Sequence, residues 1–406
     1  MKWKTNTLSN GLTNIAIPRP DTHTVAARLF FRAGSRYDPI PGCAHLMEHM
    51  LFQGTKSHST REIFAGIEAL GGEINAHTSR EYLALHTVTL PQELPFALNL
   101  LANIVKNPAW PQSSFQKEKT IILQEILQAS SRPTILGDTF NKLLFQDQAL
   151  GHAIMGNPQS LQRIRINDIT AMHQQRVCAK NAVLAICGDM DVKNMLAQAE
   201  TAFSSLPSGE NYPPIEDSLP FSNQHQHIEK DISQTHMMLG VAGVGLSDPA
   251  RSALKLIELA LGMGASGRLY RRLREELGLV YSIQTLNTNY EDCGYLAVRA
   301  SFDPVGQETV KELILYEFDE ICQNGLCAEE LLRTKGNYAG TLARRFETNL
   351  ATAGIFGIEA LLNEIEPFEQ AVQRIQAVTP EQIIEAANQI LDRNKMITVS
   401  LGPSIE

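Results

Sequence analysis

The sequence predicts an α+β protein of two similar domains, residues 1–212 and 213–406, each a mixed, mainly antiparallel sheet packed with helices. Three observations lead there. Short apolar or alternating runs with strand period interleave with amphipathic stretches of helical period along the whole chain. Composition breaks at Ser204–Asn223, where Ser, Pro, Gly, Asn and Glu gather in Leu206-Pro207-Ser208-Gly209-Glu210-Asn211-Tyr212-Pro213-Pro214, a linker composition. The second half then repeats the order of elements of the first. Its closing unit, Val372-Gln373-Arg374-Ile375 to Ile397-Thr398-Val399-Ser400-Leu401-Gly402, echoes Leu161-Gln162-Arg163-Ile164 to Val183-Leu184-Ala185-Ile186-Cys187-Gly188. A chain of 406 residues that is 43% hydrophobic has material for two cores.

The elements follow in order. Asn10-Gly11 inside an alternating stretch signals a hairpin turn. Residues 24–33 are rich in Val, Leu and Phe and close on Gly34-Ser35, a strand and its end. Pro41 to Phe52 reads as a short buried helix. Ser59-Thr60-Arg61-Glu62 is a capping box, and the helix it starts stops at Gly71-Gly72. Residues 73–78 and 82–90 have strand character, and residues 91–105 and 115–127 form amphipathic helices. Helix is expected over 168–176 and a buried strand over 182–187. In the second half, strands fall at 234–244, 281–286 and 294–302, with helices at 248–261, 306–324 and 328–348.

Charge and cysteine usage narrow the functional classes. A net charge of −9 and the lack of a basic run or basic–aromatic patch speak against nucleic acid as a partner. The longest apolar runs are too short for a membrane span, and Met1 to Thr7 lacks the apolar core of a signal peptide. Six cysteines without a Cys-x-x-Cys pair read as small core residues of a reducing compartment. A cytoplasmic location is therefore expected, or a periplasmic one if a leader has been removed. The Gly262-Met263-Gly264-Ala265-Ser266-Gly267 loop lacks the Gly-Lys-Ser/Thr ending of a phosphate loop, so nucleotide binding is not expected.

The most informative stretch is His45-Leu46-Met47-Glu48-His49. Residues four apart share a helix face, so both imidazoles project together and suit one divalent metal. Glu48 projects to the same region, where a carboxylate can take a proton from water activated by the metal. The order is the inverse of the commoner His-Glu-x-x-His. Two histidines and a glutamate among Leu46, Met47, Met50 and Leu51 cost free energy unless a partner satisfies them. A catalytic zinc takes three protein ligands, so one is missing. Glu118 and Glu125 are seven residues apart on one predicted helix and face one side. Glu125 sits in an apolar run, where it reads either as a ligand or as a salt-bridge or surface residue.

These residues and their flanks resemble the M16 family of zinc metallopeptidases, which includes pitrilysin, insulin-degrading enzyme and the mitochondrial processing peptidases. The similarity rests on His-x-x-Glu-His followed by Glu125, 76 positions after His49. It also rests on Phe30-Phe31-Arg32-Ala33-Gly34-Ser35-Arg36, Met50-Leu51-Phe52-Gln53-Gly54-Thr55, Asn75-Ala76-His77-Thr78 and the run Glu118 to Glu125. The resemblance covers the whole chain, is most specific over residues 25–130, and points to the short two-domain members. It implies a processing-peptidase-like metallohydrolase fold and Zn²⁺ held by His45, His49 and Glu125. It implies Glu48 as general base and Glu118 as a supporting carboxylate.

The same resemblance implies a peptide substrate bound as an added strand beside Asn75 and Ala76. Arg274 and Tyr281, in Arg268 to Ser282, match the family's Arg/Tyr pair, whose donors serve the substrate carbonyl and the developing oxyanion. Long family members fuse two such halves, so a homodimer with shared active sites is expected. The second domain would then be a catalytically inactive homologue carrying the Arg/Tyr pair. Two departures from the family pattern stand out: Lys119 follows Glu118 where Arg is common, and Ser131-Arg132-Pro133 lacks an acidic residue before the proline. The readings to separate are a zinc endopeptidase of peptides, a non-catalytic assembly subunit of the same fold, and a peptidase active only with a separate partner chain.

Overall fold

Asn10-Gly11 makes the turn its sequence predicts: β1 (Lys4–Thr7) pairs antiparallel with β2 (Thr13–Pro18), and Gly11 takes a φ of 98°, in the left-handed region that favours glycine. The Asn10 amide donates to the carbonyls of Phe203 and Leu206 and pins the turn to a later helix. The computed structural model describes residues 1–130, 133–212, 215, 223–262, 264–362 and 364–404. Ser131, Arg132, Met263, Pro213 and Pro214, and residues 216–222 of the expected linker lie outside the described residues, so the expected boundary at 212/213 borders on them.

The remaining strands are β3 (Val25–Phe31), β4 (Glu73–Thr78), β5 (Leu83–Thr89), β6 (Ala182–Gly188), β7 (Gln224–Glu229), β8 (Thr235–Val244), β9 (Val280–Asn289), β10 (Cys293–Phe302) and β11 (Ile397–Gly402). The helices of the first half are α1 (Cys43–Leu51), α2 (Thr60–Glu68), α3 (Leu94–Lys106), α4 (Gln112–Ser130), α5 (Ile135–Phe145), α6 (Pro158–Arg163), α7 (Ile166–Arg176) and α8 (Val192–Phe203). Those of the second half are α9 (Arg251–Gly262), α10 (Gln307–Asn324), α11 (Ala328–Arg345), α12 (Asn349–Leu362), α13 (Phe368–Gln376) and α14 (Pro380–Ile390). The capping box at Ser59 forms as predicted, with both reciprocal hydrogen bonds to Glu62.

Two sheets organise the chain. The first runs β1-β2-β6-β3-β5-β4 and the second β7-β11-β8-β10-β9. In each, one parallel pair (β2 with β6, β7 with β11) is followed by antiparallel neighbours. Leaving out β1, the two orders map strand for strand, which is the duplication the sequence echo predicts. The fold is α+β, with two sheets of mixed, mainly antiparallel pairing.

The chain divides into two compact units. One gathers residues 1–128, 152–215 and 344–366, and the other 129–151, 216–343 and 367–406. Within the first unit, β3 is buried on both faces. Val25, Ala27, Leu29 and Phe31 join α1 and α3 in the main core. The opposite face carries α12, where Gly354 lies over Arg28 and Gly357 over the ring of Phe30. The sequence reading ran one helix to Thr348 and stopped. In fact α11 ends at Arg345 and α12 follows. Its run Asn349-Leu350-Ala351-Thr352-Ala353-Gly354-Ile355-Phe356-Gly357 is apolar nearly all round and holds two glycines, so it lacks the one-sided period that marks a surface helix. The second unit packs α9, α10, α13 and α14 on one face of its sheet and α5 on the other.

Candidate metal centre

Helix α1 sorts its residues sharply. Ala44, Leu46, Met47, Met50 and Leu51 are buried in the main core, while His45, Glu48 and His49 share the half-buried face. The start of the helix is fixed by Gly42, whose φ of 99° excludes most residues, and by Asp38. The Asp38 carboxylate accepts from the N–H groups of Gly42 and Ala44, each at 2.7 Å. Burial pushes its pKa up to about 8, and those backbone donors pull it back. A carboxylate at a helix N-terminus satisfies donors that the helix itself cannot. The sequence reading missed Asp38, whose only signal is an acidic residue four positions before a glycine helix start.

Helix α4 brings the carboxylates. Phe115, Glu118, Ile122 and Glu125 follow at helical spacing and form one stripe, with Phe115 and Ile122 in the core. Glu118 is 4% exposed, and its Oε2 lies 3.0 Å from Nδ1 of His49. Glu125 Oε2 lies 3.9 Å from the other ring nitrogen, Nε2. The imidazole of His49 is thus held between two carboxylates two turns apart, which fixes Nδ1 as the nitrogen facing Glu118 and leaves Nε2 toward Glu125. Lys119, the departure from the family pattern, donates to the carbonyls of Gln162 and Ile164 and ties α4 to α6.

His45 completes the group. Its ring centroid is 4.7 Å from that of His49. Burial, then the neighbouring His49, lowers its pKa to about 4, so the ring stays neutral and keeps a lone pair. Its buried Nδ1 has no hydrogen-bond partner among the described residues. One ligand atom from each of His45, His49 and Glu125 lies within 4.8 Å of the others. Two imidazoles and a carboxylate are a donor set for a borderline divalent cation. A carboxylate on the far nitrogen of a ligating histidine is the usual support for such a site. The residues fit a metal ion.

Glu48 stands beside this group. Burial raises its pKa, and the Thr78 hydroxyl, at the end of β4, donates to Oε2 at 2.5 Å and opposes the rise. Thr78 ends the motif Asn75-Ala76-His77-Thr78, and nothing in that run of sequence signals that it holds Glu48. β4 is an edge strand of the first sheet. Asn75 is exposed on it, Ala76 is buried, and the Asn75 side-chain oxygen accepts from the Ala76 N–H at 2.8 Å.

Arg274 and Tyr281 belong to the other unit. The predicted helix stopped by Gly278 is a turn of π-helix, Tyr270–Glu276, and Gly278 has a φ of 63°. π-Helical turns recur at functional sites. The Arg274 guanidinium lies 5.5 Å from the ring centre of Tyr281 and 5.7 Å from that of Tyr270. Tyr281 is the second residue of β9, an edge strand, and is 68% exposed. Both line an open hollow of about 410 Å³ with Gly278, Val280 and Phe302. Arg268 pairs with Glu330 through two bonds, and Arg272 with buried Glu317 at 2.8 Å, anchoring the π-turn to α10 and α11.

Fold and site together define a duplicated α+β protein whose first unit carries a three-residue cluster able to hold a metal ion. The family models agree: "Insulinase (Peptidase family M16)" matches residues 14–158, and "Peptidase M16 inactive domain" matches residues 163–338. The chain belongs to peptidase family M16. A protein of Rickettsia bellii named an uncharacterized zinc protease is 29% identical over 98% of this chain and 97% of its own length. A zinc protease of Bacillus subtilis, also named uncharacterized, is 25% identical over 99% and 98%. Among solved structures, one described as a peptidase M16 inactive domain from Pseudomonas fluorescens superposes with a TM-score of 0.93 and 27% identity, covering 100% of this chain and 98% of that one. A protease from Helicobacter pylori shares the fold, with a TM-score of 0.93, 21% identity and 99% of each chain covered. No helix among the described residues is long and apolar enough to cross a membrane.

Proposed function

We propose that the chain is a zinc-dependent endopeptidase acting on peptides or unfolded segments. The observation that carries this reading is the clamp on His49: one ring nitrogen on buried Glu118, the other turned to Glu125, with His45 one helical turn away. His45, His49 and Glu125 would hold the ion, as the name zinc protease carried by relatives also supports. Zn²⁺ so held supplies a Lewis acid that makes water nucleophilic near neutral pH. Glu48, kept partly out of water and gripped by Thr78, accepts the proton of the attacking water and returns it to the leaving amine. Its raised pKa suits both halves of that task. Glu118 holds the His49 ring in one orientation.

The β4 edge receives the peptide as an added strand, and the incoming backbone replaces the Asn75 amide oxygen on the Ala76 N–H. Arg274 and Tyr281 donate to the substrate carbonyl and the developing oxyanion, and a homodimer supplies the pair from the second subunit. The C-terminal half is then a homologous domain without metal chemistry of its own. The test is hydrolysis of an unstructured quenched-fluorescence peptide by the purified, metal-loaded chain. Activity that vanishes with chelator and in Glu48→Gln supports the reading. No activity in any metal-loaded preparation sinks it in favour of an assembly subunit or a chain that needs a separate partner. Sharing is tested by mixing Glu48→Gln with Arg274→Ala: recovered activity supports a shared site, and no recovery refutes it.

A further inference from the structure

Arg28 is a partly buried cation without an anion. It alternates along β3 with Ala27 and Leu29, which face the main core, so its side chain rises from the opposite face, beneath α12. Its Nη2 lies 3.5 Å from Nδ1 of His77, the β4 residue next to Ala76. Its Nη1 lies against α12 at Gly354, where a Cβ would come within 2.3 Å. The guanidinium therefore lies between the edge strand and α12.

No countercharge sits on it, although Glu347 and Glu359 line the same hollow. No carboxylate lies within ion-pairing distance of Arg28 among the described residues, and its buried Nε has no hydrogen-bond partner. Its other close neighbours are the Phe30 ring, 5.0 Å from the guanidinium carbon, and His86, its partner across β5. Burial and the Arg28 charge lower the pKa values of His77 and His86, and burial raises that of Tyr82, so all three are neutral at neutral pH. A desolvated guanidinium with an unmet donor is costly unless an anion arrives. There is room for one: Arg28, Arg344 and Arg345 line a hollow of about 350 Å³ with Glu347, Thr348 and Glu359.

We infer that Arg28 is the base of a subsite for a carboxylate group of a peptide lying along β4. This rests on the reading of β4 as the peptide-binding edge. The planar fork of arginine matches a carboxylate. Glu347 and Glu359 on the same hollow disfavour a multiply charged phosphate. The carboxylate comes either from the C-terminus of the peptide or from an Asp or Glu side chain.

The test measures binding without turnover. Fluorescence anisotropy follows three N-terminally labelled peptides of one neutral sequence, on the metal-loaded full chain carrying Glu48→Gln. One peptide has a free C-terminus, one is amidated, and one is amidated with a single internal Glu. At least one carboxylate peptide binds about tenfold tighter than the neutral one, the scale of a charge-assisted hydrogen bond, and its identity gives the source. Adding Arg28→Gln removes that preference. Equal affinities in the parent, or a preference that survives Arg28→Gln, overturn the subsite. If Arg28→Gln lowers the melting temperature, the double substitution Arg344→Gln/Arg345→Gln, at exposed positions, replaces it: a narrowed gap supports the subsite and an unchanged gap overturns it. Hydrolysis of the amidated peptide by the wild-type chain reports on the peptidase reading separately, so either can fail alone.

Discussion

Replacing Glu118 by alanine tests the metal centre without touching a ligand. Glu118 is 4% exposed and accepts from Nδ1 of His49 at 3.0 Å. Alanine leaves that nitrogen facing a void and frees the ring to turn. A hydrogen bond to a charged group is worth about 1.5–3 kcal/mol. Losing the outer partner of a ligating histidine typically weakens metal binding about 10–100-fold, which is about 1.4–2.7 kcal/mol, so the two estimates agree. Glu118→Gln keeps an oxygen acceptor and should lose less, about tenfold or under. Glu125→Ala, which removes a proposed ligand, should lose more than either. Competition against a chromogenic zinc chelator gives the three dissociation constants, and melting of the metal-free chains checks the fold. A folded Glu118→Ala chain that binds Zn²⁺ as tightly as wild type refutes the clamp argument.

Thr78→Val removes the donor that stabilises ionised Glu48, so the pKa of Glu48 rises further and the acid limb of the kcat/KM profile moves up by about one pH unit, read from a pH–rate profile. Gly357→Ala gains about 1 kcal/mol in helix propensity, yet its Cβ would come within 2.2 Å of the fully buried Phe30 ring. Overpacking costs about 1–3 kcal/mol, so the net change is destabilising in denaturant melts. The metal-free chain loses stability as pH falls from about 6.5 through about 4, because burial holds the folded-state pKa of His86 down to about 4 and the unfolded chain binds its proton first. His86→Gln should flatten that slope in denaturant midpoints measured against pH.

The cluster proposed to hold the metal was legible in the sequence because each of its signals is local or periodic. His45 and His49 fall four apart in an apolar helix, and Glu118 and Glu125 seven apart on a stripe shared with Phe115 and Ile122. The choice of Glu125 as the proposed third ligand, however, came from the family pattern, since an exposed helical glutamate and a ligand look alike in one sequence. Thr78, Asp38 and the Arg28 hollow were not legible, because each depends on strands or turns meeting across the fold. The π-turn at Tyr270–Glu276 was read as ordinary helix, as side-chain period cannot distinguish the two over seven residues. Helix α12 escaped because one face is buried and the other is half-buried and still mostly apolar, so it has no polar side to mark it.

Helix α12 also governs when the first unit can form. Asn349 donates to Thr22 and Thr24, Arg19 to the carbonyl of Phe346, and Trp3 packs edge-on against Phe356. The amino-terminal sheet therefore lacks one of its covering layers until some 360 residues have been synthesised. During translation Phe30 and its neighbours on that face wait uncovered while strands β7 to β10 of the second sheet emerge from the ribosome. A fragment ending near residue 212 would present them to water permanently, so it should be recovered in inclusion bodies, whereas co-expression with the remainder should rescue it into the soluble fraction.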